Sequence, residues 1–115
     1  MTVTARAWDE VFALNLRAPF FCAIAAARAM PRGGVVVNIS DHMGFESWPE
    51  FVPHGVSKAA VDMITRCAAL DFAPHGVRVN AVNPGVVVTE LHTVTNAVAD
   101  YPAFLERSKA THPLG

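Results

Sequence analysis

Two short valine-rich runs, Val35-Val36-Val37-Asn38-Ile39 and Val77-Arg78-Val79-Asn80-Ala81-Val82, most narrow the folds open to this chain. The first is β-branched almost throughout and predicts a strand buried on both faces. The second predicts another strand, and between the two, residues 53–72 carry a helical pattern. An earlier helical pattern begins after Thr4, a plausible N-cap, and runs to about residue 30. Helix, strand, helix, strand is the order of a parallel sheet with right-handed helical crossovers. Stop signals separate the elements: Pro31-Arg32-Gly33-Gly34, Pro74-His75-Gly76 and Asn83-Pro84-Gly85. Gly44, Trp48, Pro49 and Pro53 make residues 41–53 a loop. Beyond Gly85 the pattern weakens to one short helix over 101–109 and a turn-like end over 111–115. No repeat or linker divides the chain, so residues 1–115 are expected to form one domain or part of one.

The chain is 52% hydrophobic and 17% charged with a formal net charge of −1, which fits a globular unit and not a disordered one. A chain of this size buries roughly 65% of its unfolded surface, enough for one core. Near-neutral charge without a basic run argues against nucleic acid and against an anionic membrane as partner. Arg17, Pro19 and Arg28 interrupt the most hydrophobic region, so no apolar stretch is expected to reach membrane-spanning length. Met1-Thr2-Val3-Thr4 leads directly into an amphipathic pattern with no signal peptide. The expected location is cytoplasmic, with Cys22 and Cys67 as small core residues in a reducing compartment. His42, His75, His92 and His112 are scattered without HxxxH or HExxH spacing, so no metal site is expected.

The polar residues that stand out are Asp41, His54 and Lys58. His54 and Lys58 are four apart, which on a helix puts both side chains on one face, one turn apart. Asp41 ends the first strand, thirteen residues before His54. An acid at a strand's carboxyl end and a base–ammonium pair on the next helix suit proton transfer. The plainer alternative is a capped helix with a solvated lysine. Asn15 interrupts the apolar stretch Val11-Phe12-Ala13-Leu14-Asn15-Leu16, either as a satisfied core amide or as part of the same chemistry. Pro19, four residues on, has no N–H, so the Asn15 carbonyl loses its helical partner. A carbonyl freed in this way can bind water, and the helix is expected to bend there.

In order and spacing these residues resemble the catalytic half of a short-chain dehydrogenase/reductase, whose signature is a serine followed thirteen residues later by Tyr-x-x-x-Lys. Lys58 matches the family lysine and Ser57 the small residue before it. His54 stands at the tyrosine position and Asp41 at the serine position, the latter similar to the pteridine-reductase branch. Asn83-Pro84-Gly85-Val86-Val87-Val88-Thr89 resembles the family's Pro-Gly-x-x-x-Thr loop.

The resemblance implies an α/β fold, a partial Rossmann-like doubly wound parallel sheet, with residues 1–115 as a single partial domain. It implies an oxidoreductase that reduces a carbonyl or oxidises an alcohol with NAD or NADP. By the same resemblance, the main-chain carbonyl of Asn15 holds a water that relays protons to Lys58. Lys58 also bonds the nicotinamide ribose and tunes the acid at position 54. Pro84, Gly85, Val87 and Thr89 supply contacts to the nicotinamide carboxamide, and Glu46, Trp48 and Glu50 fall in the substrate loop. Helices 5–30 and 54–72 would form a homo-oligomer interface. Their apolar residues on more than one face require cover on two sides, which agrees.

His54 needs its own argument. Tyrosine ionises near ~10 and histidine near ~6.5. Lys58 would push an adjacent imidazole toward its neutral form, whereas Asp41 would favour imidazolium. An Asp41–His54 pair could therefore hold a charged imidazole as proton donor. The competing reading is that histidine is too short to reach the substrate carbonyl and the site is inactive.

The Thr-Gly-x-x-x-Gly-x-Gly turn that cradles pyrophosphate is absent from the sequence, so the resemblance covers the second half of a family domain. The strand at 35–39 is expected to leave an edge unpaired, and the chain to be a truncated form or one that needs oligomerisation. Two function classes follow: an NAD(P)-dependent oxidoreductase, or an inactive relative serving only as a dimerisation or regulatory module.

Overall fold

Thr4 starts the first helix. Its extended backbone (φ −86°, ψ 154°) brings the side-chain oxygen onto the Ala7 N–H at 3.1 Å, satisfying one of the donors a helix start leaves free. A computed structural model describes residues 2–90 and 98–112. His92 and most of the expected terminal turn, residues 113–115, lie outside the described residues.

From Thr4, α1 (Ala5–Phe12) runs into a π-helical turn (Ala13–Arg17) and then α2 (Ala18–Arg28). Pro19 explains the interruption. The Ala18 N–H donates to the Ala13 carbonyl five residues back, and Pro19 has no N–H to offer either Asn15 or Leu14. The wider turn absorbs the defect while the helix continues. The helical run Ala5–Arg28 therefore has 24 residues, with a most apolar window of mean hydropathy 1.4. By length and composition it is long and apolar enough to cross a membrane, which corrects the sequence expectation: Arg17, Pro19 and Arg28 do not break the helix.

β1 (Gly34–Ile39) and β2 (Val77–Val82) pair in parallel, with Gly34 opposite Val77 and Ile39 opposite Val82. The connection is α3 (Val52–Phe72), so the chain has the expected α/β arrangement of part of a Rossmann-like fold. At the sheet's entrance Gly33 (φ 81°) and Gly76 (φ 69°) lie so close that a Cβ on Gly33 would sit 2.7 Å from the Gly76 carbonyl oxygen. Only glycine suits that approach with that backbone. Among the described residues the sheet has two strands, which leaves β1 with an edge that carries no neighbouring strand.

The core lies between α3 and the inner face of the sheet, where Val61, Ala68, Val77 and Val79 are buried. A polar tie crosses it: Asn38 donates to Thr65 Oγ1 at 2.9 Å, and the Thr65 hydroxyl donates to the Val61 carbonyl at 2.8 Å. Two expectations are corrected here. β1 is not buried on both faces, because Val35, Val37 and Ile39 point away from α3 and are exposed. Cys22 and Cys67 are exposed as well, and their neighbours Ala23 and Ala68 take the core positions.

After β1, Asp41 caps a short 3-10 turn (His42–Gly44) by accepting the Met43 N–H at 2.9 Å, so the segment expected to be loop begins with an ordered turn. The chain divides into two compact units, Met1–Pro84 and Gly85–Gly115. In the second, α4 (Tyr101–Lys109) forms as the sequence predicts, capped by Asp100 through the Ala103 N–H at 3.0 Å.

Candidate active site

The parallel pairing brings the carboxyl ends of β1 and β2 side by side, and α3 starts above them. Open α/β sheets bind ligands at that end. Asp41 lies two residues beyond β1, and its half-buried carboxylate meets His54 in the first turn of α3: Asp41 Oδ2 is 3.2 Å from His54 Nε2. A carboxylate only accepts, so this hydrogen bond is completed by the tautomer with hydrogen on Nε2. The other carboxylate oxygen faces a second imidazole, with His42 Nδ1 3.0 Å from Asp41 Oδ1. The ring is turned off the hydrogen-bonding line, so His42 Nδ1 is buried without a hydrogen-bond partner. The His42 ring packs edge-on against Trp48, with centroids 5.6 Å apart.

Lys58, one turn further along α3, extends to the strand end, where Nζ donates to the Ile39 carbonyl at 3.0 Å. That bond directs the ammonium to β1 and not onto His54. The main-chain carbonyl of Lys58 in turn accepts the hydroxyl of Ser40, which is buried. Asn15 enters from the π-helical turn. Its side-chain amide donates to Ser57 Oγ at 3.1 Å, and the Ser57 hydroxyl donates to the His54 carbonyl at 2.7 Å. Ser57 is fully buried. The Asn15 side chain thus supports the turn that carries His54, the satisfied-amide role weighed from sequence.

Asp41, His54, Lys58 and Asn15 are therefore brought to one end of the first unit. The contact loop divides between the units. In the first, the Pro84 carbonyl accepts the His42 N–H at 3.4 Å, which fastens the end of β2 to the 3-10 turn. In the second, Gly85, Val87 and Thr89 are exposed, the Val86 N–H donates to His112 Nε2 at 3.1 Å, and the Tyr101 hydroxyl donates to the Thr89 carbonyl. A surface depression of about 660 Å³ bordered by Arg28, Met30, Asp71 and His75 lies at the opposite, amino-terminal end of the strands. It has no part in this constellation.

Sequence reasoning missed several members. Ser40 gave no signal beyond being small and polar, and Ser57 was matched only as the small residue before Lys58, with no sign of its bonds to Asn15 and the His54 carbonyl. Asp62 did give one: it continues the spacing 54, 58, 62 along one face of α3. There it accepts the side-chain amide of Asn83 on both carboxylate oxygens, at 3.1 and 3.0 Å, while the same amide reaches the Asp41 carbonyl at 3.2 Å.

The proteins that this chain resembles in sequence and fold include oxidoreductases. A family model described as enoyl-(acyl carrier protein) reductase matches residues 1–115. The chain is 32% identical over 117 residues to carbonyl reductase [NADPH] 2 of Sus scrofa, covering 99% of this chain and 47% of that protein. Among solved structures, it resembles a putative short-chain alcohol dehydrogenase from Sinorhizobium meliloti 1021 with a TM-score of 0.79 and 35% identity, covering 88% of this chain and 41% of that one. It also resembles an NAD+-bound xylitol dehydrogenase, with a TM-score of 0.68 and 33% identity over 71% of this chain and 32% of that one. The chain spans less than half the length of these relatives.

Proposed function

The chain belongs to the short-chain dehydrogenase/reductase family, and from that membership we propose that it carries the acid/base half of an NAD(P)-dependent carbonyl reductase or alcohol dehydrogenase. We read residues 1–115 as the C-terminal catalytic part of one such domain, with Asp41 at the family's serine position as in pteridine-reductase-like members. The observation that carries this reading is the 3.2 Å contact of Asp41 with His54 at the strands' carboxyl end, one helical turn from Lys58.

In the reductive direction His54 donates a proton to the substrate's carbonyl oxygen, and Asp41 holds the imidazole by its Nε2. Neutral imidazole carries one hydrogen, so the ring must be charged to donate one from Nδ1 while keeping the bond to Asp41. In the oxidative direction the same nitrogen receives the alcohol's proton.

A nicotinamide bound there supplies or accepts the hydride. The residues present suit its nicotinamide-ribose half. Lys58 has three N–H donors, and the Ile39 carbonyl takes one, which leaves two for ribose hydroxyls. Pro84, Gly85, Val87 and Thr89 form the backbone segment assigned to the carboxamide, and Gly85 leaves room for the His112 imidazole, whose Nε2 would lie 2.6 Å from a Cβ there. The names of the relatives include both NADPH and NAD+, so either dinucleotide fits this reading. Asn15 serves the relay from the π-helical turn, where Pro19 offers its carbonyl no N–H. The substrate is a small carbonyl compound or alcohol.

The second reading is an inactive family member that only dimerises or regulates. It is favoured by large apolar side chains left in solvent on the helices: Leu14 is 73% exposed, Phe21 57%, Met63 54% and Leu70 78%. Such a face fits a homo-oligomer through helices 5–30 and 54–72. A cofactor titration separates the two. Saturable quenching of Trp8 or Trp48 fluorescence by NADPH or NADH supports the enzyme reading, and folded protein that binds neither leaves the second.

A further inference from the structure

Asp62 lies two helical turns beyond His54 on the same face of α3, and no step above uses it. Its carboxylate is the meeting point of three elements. It accepts the Asn83 amide from the end of β2 on both oxygens, at 3.1 and 3.0 Å. It also lies against the 3-10 turn, where a Cβ on Gly44 would come within 2.8 Å of Asp62 Oδ2. The Asn83 amide has two hydrogens. With the carboxylate drawing on one, the other is aimed at the Asp41 main-chain carbonyl, 3.2 Å away.

We propose that Asp62 is a positioning residue for the acid/base pair: by gripping the Asn83 amide it fixes the Asp41 main chain, and so the carboxylate's reach to His54. This rests on the reading of Asp41 and His54 given above. The geometry explains why a carboxylate is needed here. An ionised carboxylate presents acceptors only, so the Asn83 amide can face it with nitrogen alone, which settles the amide's orientation. An asparagine at 62 presents donors as well and leaves the orientation open. Glutamate adds a methylene where the Gly44 backbone already stands close.

The alternative is that Asp62 only ties α3 to β2, and an exchange of partners tells the two apart. Asp62→Asn with Asn83→Asp restores an amide–carboxylate bond between helix and strand. It also sets a carboxylate against the Asp41 carbonyl, where two acceptors repel. The readout is the His54 Nε2–H resonance in protein labelled with 15N-histidine, assigned through His54→Gln, together with thermal unfolding.

If Asp62 positions Asp41, Asp62→Asn accelerates exchange of that hydrogen with water at least tenfold in a folded chain. Gly44→Ala does the same by displacing the carboxylate, and the exchanged pair recovers the melting temperature without recovering slow exchange. An unchanged resonance in folded Asp62→Asn overturns the proposal. So does recovery of both properties in the exchanged pair, or loss of the fold in both Asp62→Asn and Gly44→Ala, which assigns Asp62 to stability alone. Because the resonance is read without turnover, an inactive chain that still shows this pattern overturns the enzymatic reading and leaves the positioning role in place.

Discussion

The Asn15 side-chain amide donates to the hydroxyl of Ser57 at 3.1 Å, joining the π-helical turn of the first helix to a buried position on α3, 42 residues away in sequence. Ser57 passes the connection on by donating to the His54 carbonyl. A perturbation of one helix therefore reaches the residue that faces Asp41 on the other.

That bond should be measurable as an energetic coupling. Asn15→Ala and Ser57→Ala are each expected to destabilise the chain by about 1–2 kcal/mol. The double variant should lose less than the sum, by about 1 kcal/mol, in a denaturant-unfolding cycle. Strict additivity would show that the two side chains act independently.

Asp41→Asn keeps the size of the side chain but removes the charge that holds His54. On the proposed mechanism it lowers turnover of a carbonyl substrate by about 100-fold or more. Cofactor affinity, measured by tryptophan quenching, should change little. Equal losses in turnover and cofactor affinity would place Asp41 in binding and not in proton transfer.

Lys58→Met removes the donors assigned to the ribose while keeping an unbranched helix-forming side chain. The dissociation constant for NADH or NADPH is expected to rise roughly 10- to 100-fold, since bonds from a charged donor contribute roughly 1.5–3 kcal/mol. An unchanged constant would reduce the Lys58–Ile39 bond to a strand-end tie.

Thr65→Val tests the polar bridge in the core. It leaves the Asn38 amide facing a methyl group in a buried setting, at a cost of about 2 kcal/mol. Replacing both partners, Asn38→Leu with Thr65→Val, removes the stranded donor and should restore most of the loss in thermal unfolding. A double variant as unstable as the sum of the two would show that packing, and not hydrogen bonding, sets the preference.

Phe21→Arg and Leu70→Arg test the apolar helix face. If these residues are covered by a second copy, each substitution shifts the protein from dimer to monomer in light scattering, with the helical circular dichroism retained. A monomeric starting protein would remove the oligomer from the reading.

Elements defined by short-range chemistry were legible in the sequence. The stop signals bounded β2 at the observed residues, because proline and glycine act on their immediate neighbours, and the short helical pattern over 101–109 matches α4. Pro19 likewise announced a defect at Asn15, since a missing N–H is a covalent fact. The polar spacing of Asp41, His54 and Lys58 pointed to one end of the sheet, where the structure brings the three together, because helical periodicity and the end of a strand fix the side from which side chains emerge.

Tertiary structure decided the partners. Lys58 could have reached toward His54, and only the position of the β1 terminus gave its ammonium the Ile39 carbonyl instead. Asn15 was open to two readings, a satisfied amide or a freed carbonyl, and its amide makes the observed bond because the crossing of the first helix over α3 puts Ser57 within reach. β1 was read as doubly buried from its valines, and its outer face is open because composition records a side chain's preference for cover and not whether any cover arrives. Local bonding rules are written residue by residue along the chain, whereas which distant groups meet depends on how two helices and two strands pack.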